Sequence, residues 1–362
     1  MSRKIVSLLL SLIIVGTSLV GCSTSEVATD KVPTSIENVQ EGSEAIPSSE
    51  ATESETITVV DQLGRTVELP REINRIVSSY YISSSLLIAL GAEDKVVGLE
   101  MKADTREIYK KAAPEFLELP GVGTSKSISV EETLALEPDL VILPYRLEEF
   151  VEQFEALNIP VIVIEPESME QFLECITLIG SAIGEEEKAA ALLAYYDDKI
   201  SQISGLTESV EERPRVYMSG GSSAFTTCTS NMYQNDLIHM AGGKNVSEEL
   251  TEGYWANVSA EQILAWDPEF IFNVNYASYD ISELTGDPQL APVHAIKENK
   301  VYTFPSVLEA WDYPTPSSIL GILWLTHQLH PELYSVEAYT RDAQEFYKTF
   351  YNIEITQEDM GL

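Results

Sequence analysis

Histidine and cysteine are scarce in this chain, four and three in 362 residues, and Lys and Arg together number 22 against 58 Asp and Glu. The formal net charge of −36 argues against nucleic acid or an anionic membrane surface as a partner, since both would be repelled. No Gly-x-Ser-x-Gly elbow, phosphate loop or Cys/His pair occurs, and the glycines of Ser219-Gly220-Gly221-Ser222 lack a lysine partner. Paired carboxylates are so common on so acidic a surface that they point to nothing. No enzyme is therefore expected. Nor is there a disulfide framework: apart from Cys22 there are only Cys175, in a helical stretch, and Cys228, in a Ser/Thr loop, and whether they pair is left open.

The apolar run from Ile5 to Val20 follows Arg3 and Lys4 and is too short for a comfortable membrane span. It leads into Leu19-Val20-Gly21-Cys22, an order that resembles a bacterial lipoprotein signal over residues 1–22, with Cys22 lipidated. The alternative is an ordinary signal peptide with an incidental cysteine. Residues 23–56 are Ser, Thr, Glu and Pro with almost no aromatics and a net charge of −7. Such a segment cannot bury enough apolar surface to offset its ordering entropy, so it reads as a disordered acidic tether. The protein is thus expected outside the cytoplasm, attached to the cell membrane through lipid alone.

What remains, about 300 residues, is enough for two ordinary domains. One phrase is spelled twice: SVEETLALEPDLVI at 129–142 and SAEQILAWDPEFIF at 259–272. Ser129 and Ser259 stand three residues before Glu132 and Gln262, the spacing of a capping box. Pro138 and Pro268 bias Glu137 and Asp267 away from helical dihedrals, so each helix lasts about two turns. An apolar run of buried-strand character follows each proline.

Around the repeat, strand candidates at 75–79, 96–99, 140–143 and 161–164 alternate with helical patterns. The second half repeats the scheme with candidates at 215–219, 270–274 and 301–304. This order predicts two α/β lobes with parallel sheets and right-handed crossovers, an N-terminal lobe over 57–168 and a C-terminal lobe over 205–362. Residues 169–204 between them are apolar at helical spacing. Gly180 and Gly184 are expected to interrupt them, and the second helix, about 18 residues or 27 Å, to span from lobe to lobe. Residues 317–329 predict a buried helix, and 336–351 an amphipathic one that closes the domain.

The stretches IVSSYYISSSLLIALGAEDKVVGLE (76–100), VEETLALEPDLVI, VSAEQILAWDPEFIF (258–272) and DPQLAPVHAIKENKVYTFP (287–305) occur in an order that resembles the substrate-binding proteins of ABC importers for iron complexes and cobalamin. That family comprises ferric-siderophore, haem and corrinoid binders. The resemblance covers roughly residues 56–350. It implies two Rossmann-like lobes joined by a single long helix, with a ligand held in the cleft and handed to a permease dimer. The protein would need no cofactor of its own, its ligand being a metal chelate, and would act as a monomer. Receptors of a bare or small-chelate divalent metal ion, or a surface-anchored hydrolase, are the alternatives. The related bare-metal binders use several cleft histidines, whereas His239, His294, His327 and His330 here all read as structural.

Ligands of open α/β sheets sit at the carboxyl ends of strands. Those ends give Tyr80 and Tyr81, of which one is expected to face the cleft and one the lobe, then Met101 and Lys102, Tyr145 and Arg146, Asn275 and Tyr276, and Glu309 to Tyr313. Trp255 lies in the loop before the second short helix. Trp311 either stacks on the chelate or packs the lobe, and Asp312 either meets the ligand or caps the helix near Ser317. Arg146 either binds an anionic oxygen or opens a solvated helix. Tyr313 completes the set. With only Lys102 and Arg146 as cations, a neutral or weakly charged complex suits the cleft best, and quenching of Trp255 or Trp311 is expected on binding. The resemblance further implies that Glu131 and Glu261, in matching first turns, dock on the permease. Helix-dipole stabilisation alone would also favour acids there.

Overall fold

In the computed structural model, residues 55–305 and 307–362 are described. The signal segment, Cys22 and nearly all of the tether lie outside them. Thr56 already belongs to the folded body, opening an antiparallel hairpin of β1 (Thr56–Val60) and β2 (Thr66–Pro70).

The first lobe is built on β3 (Ile76–Ser78), β4 (Val96–Glu100), β5 (Gly121–Thr124), β6 (Ser127–Ile128), β7 (Leu140–Pro144) and β8 (Val161–Ile164), in the order β6-β5-β4-β3-β7-β8. All neighbours are parallel except β5 and β6. The second lobe has β9 (Arg215–Ser219), β10 (Thr226–Cys228), β11 (Lys244–Asn245), β12 (Trp255–Asn257), β13 (Phe270–Asn273) and β14 (Val301–Thr303). Here β9, β13 and β14 are parallel, β11 joins the start of β9, and β10 and β12 add an antiparallel flank. The expected parallel sheets are therefore parallel centres with antiparallel edges.

Side-chain alternation explains why the central strands are apolar without interruption. Ile76, Ile142, Ile162 and Ile164 join one large core, whereas Val77, Val141, Leu143, Val161 and Val163 join a smaller one on the other face of the sheet. In the second lobe Met218, Phe270 and Phe272 enter the large core, and Tyr217 and Ile271 a third cluster. A strand buried on both faces has no polar side to show. The large core runs through both lobes, taking in Leu86 from one and Leu237 and Leu320 from the other.

The inter-lobe segment forms two antiparallel helices, Met169–Ile183 and Glu186–Thr207. Gly184 separates them at φ 75, a left-handed value that suits glycine. Gly180 does not interrupt the first helix. A Cβ there would lie 2.4 Å from that of Ala189, so the glycine is needed for close helix approach. The second helix has 22 residues, a length of about 33 Å. It starts by the Gly91–Lys95 turn of the first lobe, where Lys95 Nζ donates to Ile183 O at 3.0 Å, and ends with Thr207 against Gly242 of the second. The helix Ile319–Leu329 is buried almost throughout, and Val336–Phe350 packs one face on the core.

Both copies of the repeated phrase fold alike. Ser129 and Ser259 Oγ each accept from the backbone N–H three residues on, at 3.2 Å. Neither copy closes the reciprocal half of a capping box, which forms instead at Ser168 and Gln171. Glu137 and Asp267 adopt φ 47 and 45 before their prolines. Cys175 and Cys228 are buried free thiols, so no disulfide joins them.

Candidate functional site

The strand ends are shaped by hydroxyls. After β3 the chain turns at Tyr80 into the helix Tyr81–Ala89, and no side chain caps that helix. Instead Ser83 Oγ donates back to Tyr80 O at 2.8 Å, while Ser84 Oγ, 3.2 Å from the same carbonyl, donates to Glu100 at the end of β4 at 2.7 Å. Tyr109 donates to the other Glu100 oxygen at 2.7 Å. The serine run of SSYYISSS thus fastens two strand ends to one buried carboxylate. Beyond β4, Lys102 takes φ 69, and a short turn over Ala103–Thr105 returns the chain so that Arg106 lies 3.9 Å above the Tyr81 ring. That distance is a cation–π contact.

These groups face the second lobe across a cavity of about 610 Å³. From the first lobe come Tyr80, Tyr81, Glu100, Lys102, Arg106 and Arg146; from the second come Tyr276, Glu309 and Tyr313. The Tyr80 and Tyr313 hydroxyls are 3.4 Å apart. Tyr81 stacks on Tyr313 at 6.5 Å between centroids, and Tyr276 meets Tyr313 edge-on at 5.8 Å. Glu309 binds Ser85 Oγ and accepts from the Tyr351 hydroxyl at 2.8 Å, so a cavity carboxylate also ties the lobes together.

Burial pushes the phenols of Tyr80, Tyr81 and Tyr276 well above their ordinary range, helped respectively by Tyr313, Glu309 and Asp312. They remain protonated near neutrality and present O–H donors. Burial likewise raises the carboxyls of Glu100 and Glu309, against the hydrogen bonds that favour their charge. The cavity therefore offers phenolic donors and three cations, an environment that receives acceptor oxygens.

Of the residues expected from sequence, Tyr80, Tyr81, Lys102, Arg146, Tyr276 and Tyr313 meet in this cavity. Both Tyr80 and Tyr81 line it, where only one was expected to. Tyr145, 43% exposed, lines an adjoining chamber instead. Three expectations are corrected. Trp311 is fully buried in the core, its indole N–H donating to the Tyr347 hydroxyl at 3.1 Å. Asp312 is also fully buried and does not line the cavity. Its backbone amide and the Tyr276 hydroxyl favour its charge, but neither carboxylate oxygen has a well-formed hydrogen bond, and burial pushes its pKa up to about 7. Trp255 packs over Gly220 and Gly221, where a Cβ on Gly220 would come within 2.1 Å of the indole. Neither tryptophan lines the cavity, so direct quenching by a ligand is no longer the expected signal.

Glu131 and Glu261 are exposed in the first turns of their short helices. The backbone amide of Glu261 and Ser259 hold its carboxyl below the usual range. The histidines lie elsewhere: His239 Nε2 is 3.4 Å from Glu248, His327 Nδ1 2.8 Å from Tyr334 O, His330 Nε2 3.3 Å from Gly242 O, and His294 opens a helix at Asp267. Among the described residues no group of three or more His, Cys, Asp or Glu is placed to hold a metal ion.

Sequence reasoning missed Glu100 and Arg106. Glu100 is the last residue of a strand read one residue short, and extending that strand would have found it. Arg106 carries no motif, and only the left-handed turn at Lys102 brings it to Tyr81.

Comparison with known proteins agrees with this architecture. The family model described as periplasmic binding protein matches residues 76–308. A molybdate-binding protein, MolA, from Haemophilus influenzae is 26% identical over 319 residues, covering 81% of this chain and 90% of its own length. A vitamin B12-binding protein of Yersinia pestis is 24% identical, covering 54% of this chain and 68% of its own. The crystal structure of a periplasmic solute binding protein from Veillonella parvula superposes with a TM-score of 0.73 at 26% identity, covering 85% of this chain and 97% of that one. The chain belongs to the periplasmic binding protein family and is a solute-binding protein of its two-lobed kind.

Proposed function

We propose that this protein is an extracytoplasmic receptor that captures a small metal complex, a ferric siderophore, corrinoid or haem, and delivers it to an ABC importer permease. The observation that carries the reading is the cavity itself: protonated phenols with Lys102, Arg106 and Arg146, gathered between two lobes. Such a set grips outward-facing oxygens of a complex whose metal is already enclosed. Arg106 is a cation more than the sequence offered, but Glu100, Glu107 and Glu309 line the same cavity, so a neutral or weakly charged complex remains the preferred ligand. The relatives that bind molybdate and vitamin B12 support a metal-containing solute. The same donors suit a small oxyanion, and the molybdate-binding relative favours that second reading.

Calorimetric titration of the protein with a ferric trihydroxamate, a ferric tricatecholate, haem, cyanocobalamin, molybdate and divalent metal ions tests the proposal. One complex is expected to bind with a stoichiometry of about one, and Arg106→Ala to weaken it about tenfold, as for loss of one charge-assisted contact. Binding of bare divalent ions alone would refute the chelate, and turnover of an offered compound would refute the receptor. We further propose lipid attachment at Cys22 and permease docking through Glu131 and Glu261. Cys22→Ser should release the protein from membranes. Charge reversal at both glutamates should abolish uptake while sparing affinity.

A further inference from the structure

A second chamber of about 440 Å³ abuts the main cavity, sharing Tyr80 and Arg146 with it. Part of its wall is apolar and stiff, made by Pro144 at the end of β7, Ile164 at the end of β8 and Pro166, while Lys126, Arg146, Glu165 and Glu167 also line it. Two rings stand in it, Tyr145 from the first lobe and Tyr254 from the second, 43% and 44% exposed. Tyr254 reaches across the cleft, its hydroxyl 3.5 Å from Glu165 of the first lobe. Arg146 is loosely held, its guanidinium 3.6 Å from Glu167 and its side chain 52% exposed, so it is free to serve either chamber.

A bare oxyanion is strongly hydrated and gains little from ring faces and proline walls. Flat or alkyl organic groups gain both area and ring contact there. We propose that this outer chamber is a second subsite, which holds the organic periphery of the complex whose metal-bearing centre occupies the main cavity. It takes groups that combine a planar or alkyl surface with amide or carboxyl functions able to meet Arg146, Glu165 and Glu167. One molecule passes from chamber to chamber at Tyr80 and Arg146. This rests on the receptor reading above, and it sets a chelate with extended arms apart from a bare oxyanion.

The test compares the wild-type protein with Tyr145→Ala, Tyr254→Ala and the double variant, titrated with a ferric trihydroxamate, a ferric tricatecholate, haem, cyanocobalamin and molybdate. Both side chains are a little under half exposed, so the thermal midpoints should fall only slightly, and a midpoint close to the wild type shows that folding is intact. The double variant is expected to bind the complex about tenfold more weakly, about threefold per ring, with any molybdate affinity unchanged. If the wild type binds a chelate and the double variant binds it equally well, the receptor reading stands and the outer subsite is overturned. Equal loss for chelate and molybdate also overturns it, since the main cavity has then been disturbed. Should the wild type bind molybdate alone, the chelate reading itself falls and the subsite with it.

Discussion

Arg75 stands just ahead of β3 and Arg215 opens β9, matching places in the two lobes, and they do the same work. Arg75 donates to Leu136 O and Glu137 O, and Arg215 to Asp267 O, tying each strand to the end of its repeated short helix. The acid that follows each proline by one residue returns the favour: Asp139 accepts from the Arg75 backbone N–H at 2.9 Å and Glu269 from that of Arg215 at 3.0 Å. The scaffolding is thus duplicated, while the strand ends are not. All three cations lining the main cavity come from the first lobe, and the second contributes phenols, Glu309 and an aliphatic wall. One device fixes both sheets in the same way, while the loops beyond them give the two sides of the cavity different chemistry.

The buried carboxylates sharpen this contrast most. Glu100 in the first lobe has two hydroxyl donors at 2.7 Å, whereas Asp312 in the second has none well formed. With its pKa raised to about 7, Asp312 prefers the proton in the folded state. Its contribution to stability is present below the unfolded value of about 3.9 and is lost as pH rises through about 7. Asp312→Asn should therefore stabilise the protein at pH 8 by up to about 4 kcal/mol and barely at all at pH 4. Urea denaturation at the two pH values measures this. A difference independent of pH would show that charge burial is not the cause.

Close packing gives the next largest effect. A Cβ on Gly321 would lie 2.1 Å from Trp311 O, a backbone atom that cannot step aside. Gly321→Ala should cost about 3 kcal/mol. In the first lobe a Cβ on Gly98 would meet Leu136 Cδ1 at 2.5 Å, the far end of a flexible side chain, so Gly98→Ala should cost only about 1 kcal/mol. Equal midpoints in denaturant would mean that the second lobe is no less yielding than the first.

Glu100→Gln comes third. It sets an amide NH2 against donors that need acceptors, and leaving one buried hydroxyl unmatched should cost about 2 kcal/mol. Because Ser84 and Tyr109 anchor the turn that carries Tyr80 and Tyr81, ligand affinity should fall along with stability. A variant that unfolded earlier but bound normally would separate the serine network from the cavity.

How much of this was legible in the sequence depends on which physics fixed each part. The strand VIVI at 161–164 and the two proline-ended helices could be read because their patterns are local. The hairpin of 56–70 was missed altogether, because its strands alternate apolar and polar residues and carry no continuous apolar run. Strands such as β5, short and glycine-rich, and β6, only two residues long, have no apolar run to announce them. The cleft was half legible. Loops beyond the strand ends carry Tyr80, Tyr276 and Tyr313, and these do line the cavity, whereas Tyr145, just past β7, does not. Nor was the burial of Trp311 legible, because its side of the loop is decided by Tyr347 and Gly321, which no neighbouring residue reveals. Arg106 depended on a single left-handed residue.

The smallest effect tests the duplication itself. Ser129 and Ser259 each accept one backbone hydrogen bond at 3.2 Å, and neither has the reciprocal partner that Gln171 provides for Ser168. Loss of a cap of this kind costs about 1 kcal/mol. Ser129→Ala and Ser259→Ala should each lower stability by about that amount. The two sites share no partner, being on different sheets, so the double variant should lose the sum to within about 0.5 kcal/mol. Ser168→Ala should lose at least as much as either, since it dismantles a complete box at the start of the inter-lobe helix pair. If Ser129→Ala and Ser259→Ala differ by more than the additivity error, the repeat is one of spelling and backbone shape but not of energetics.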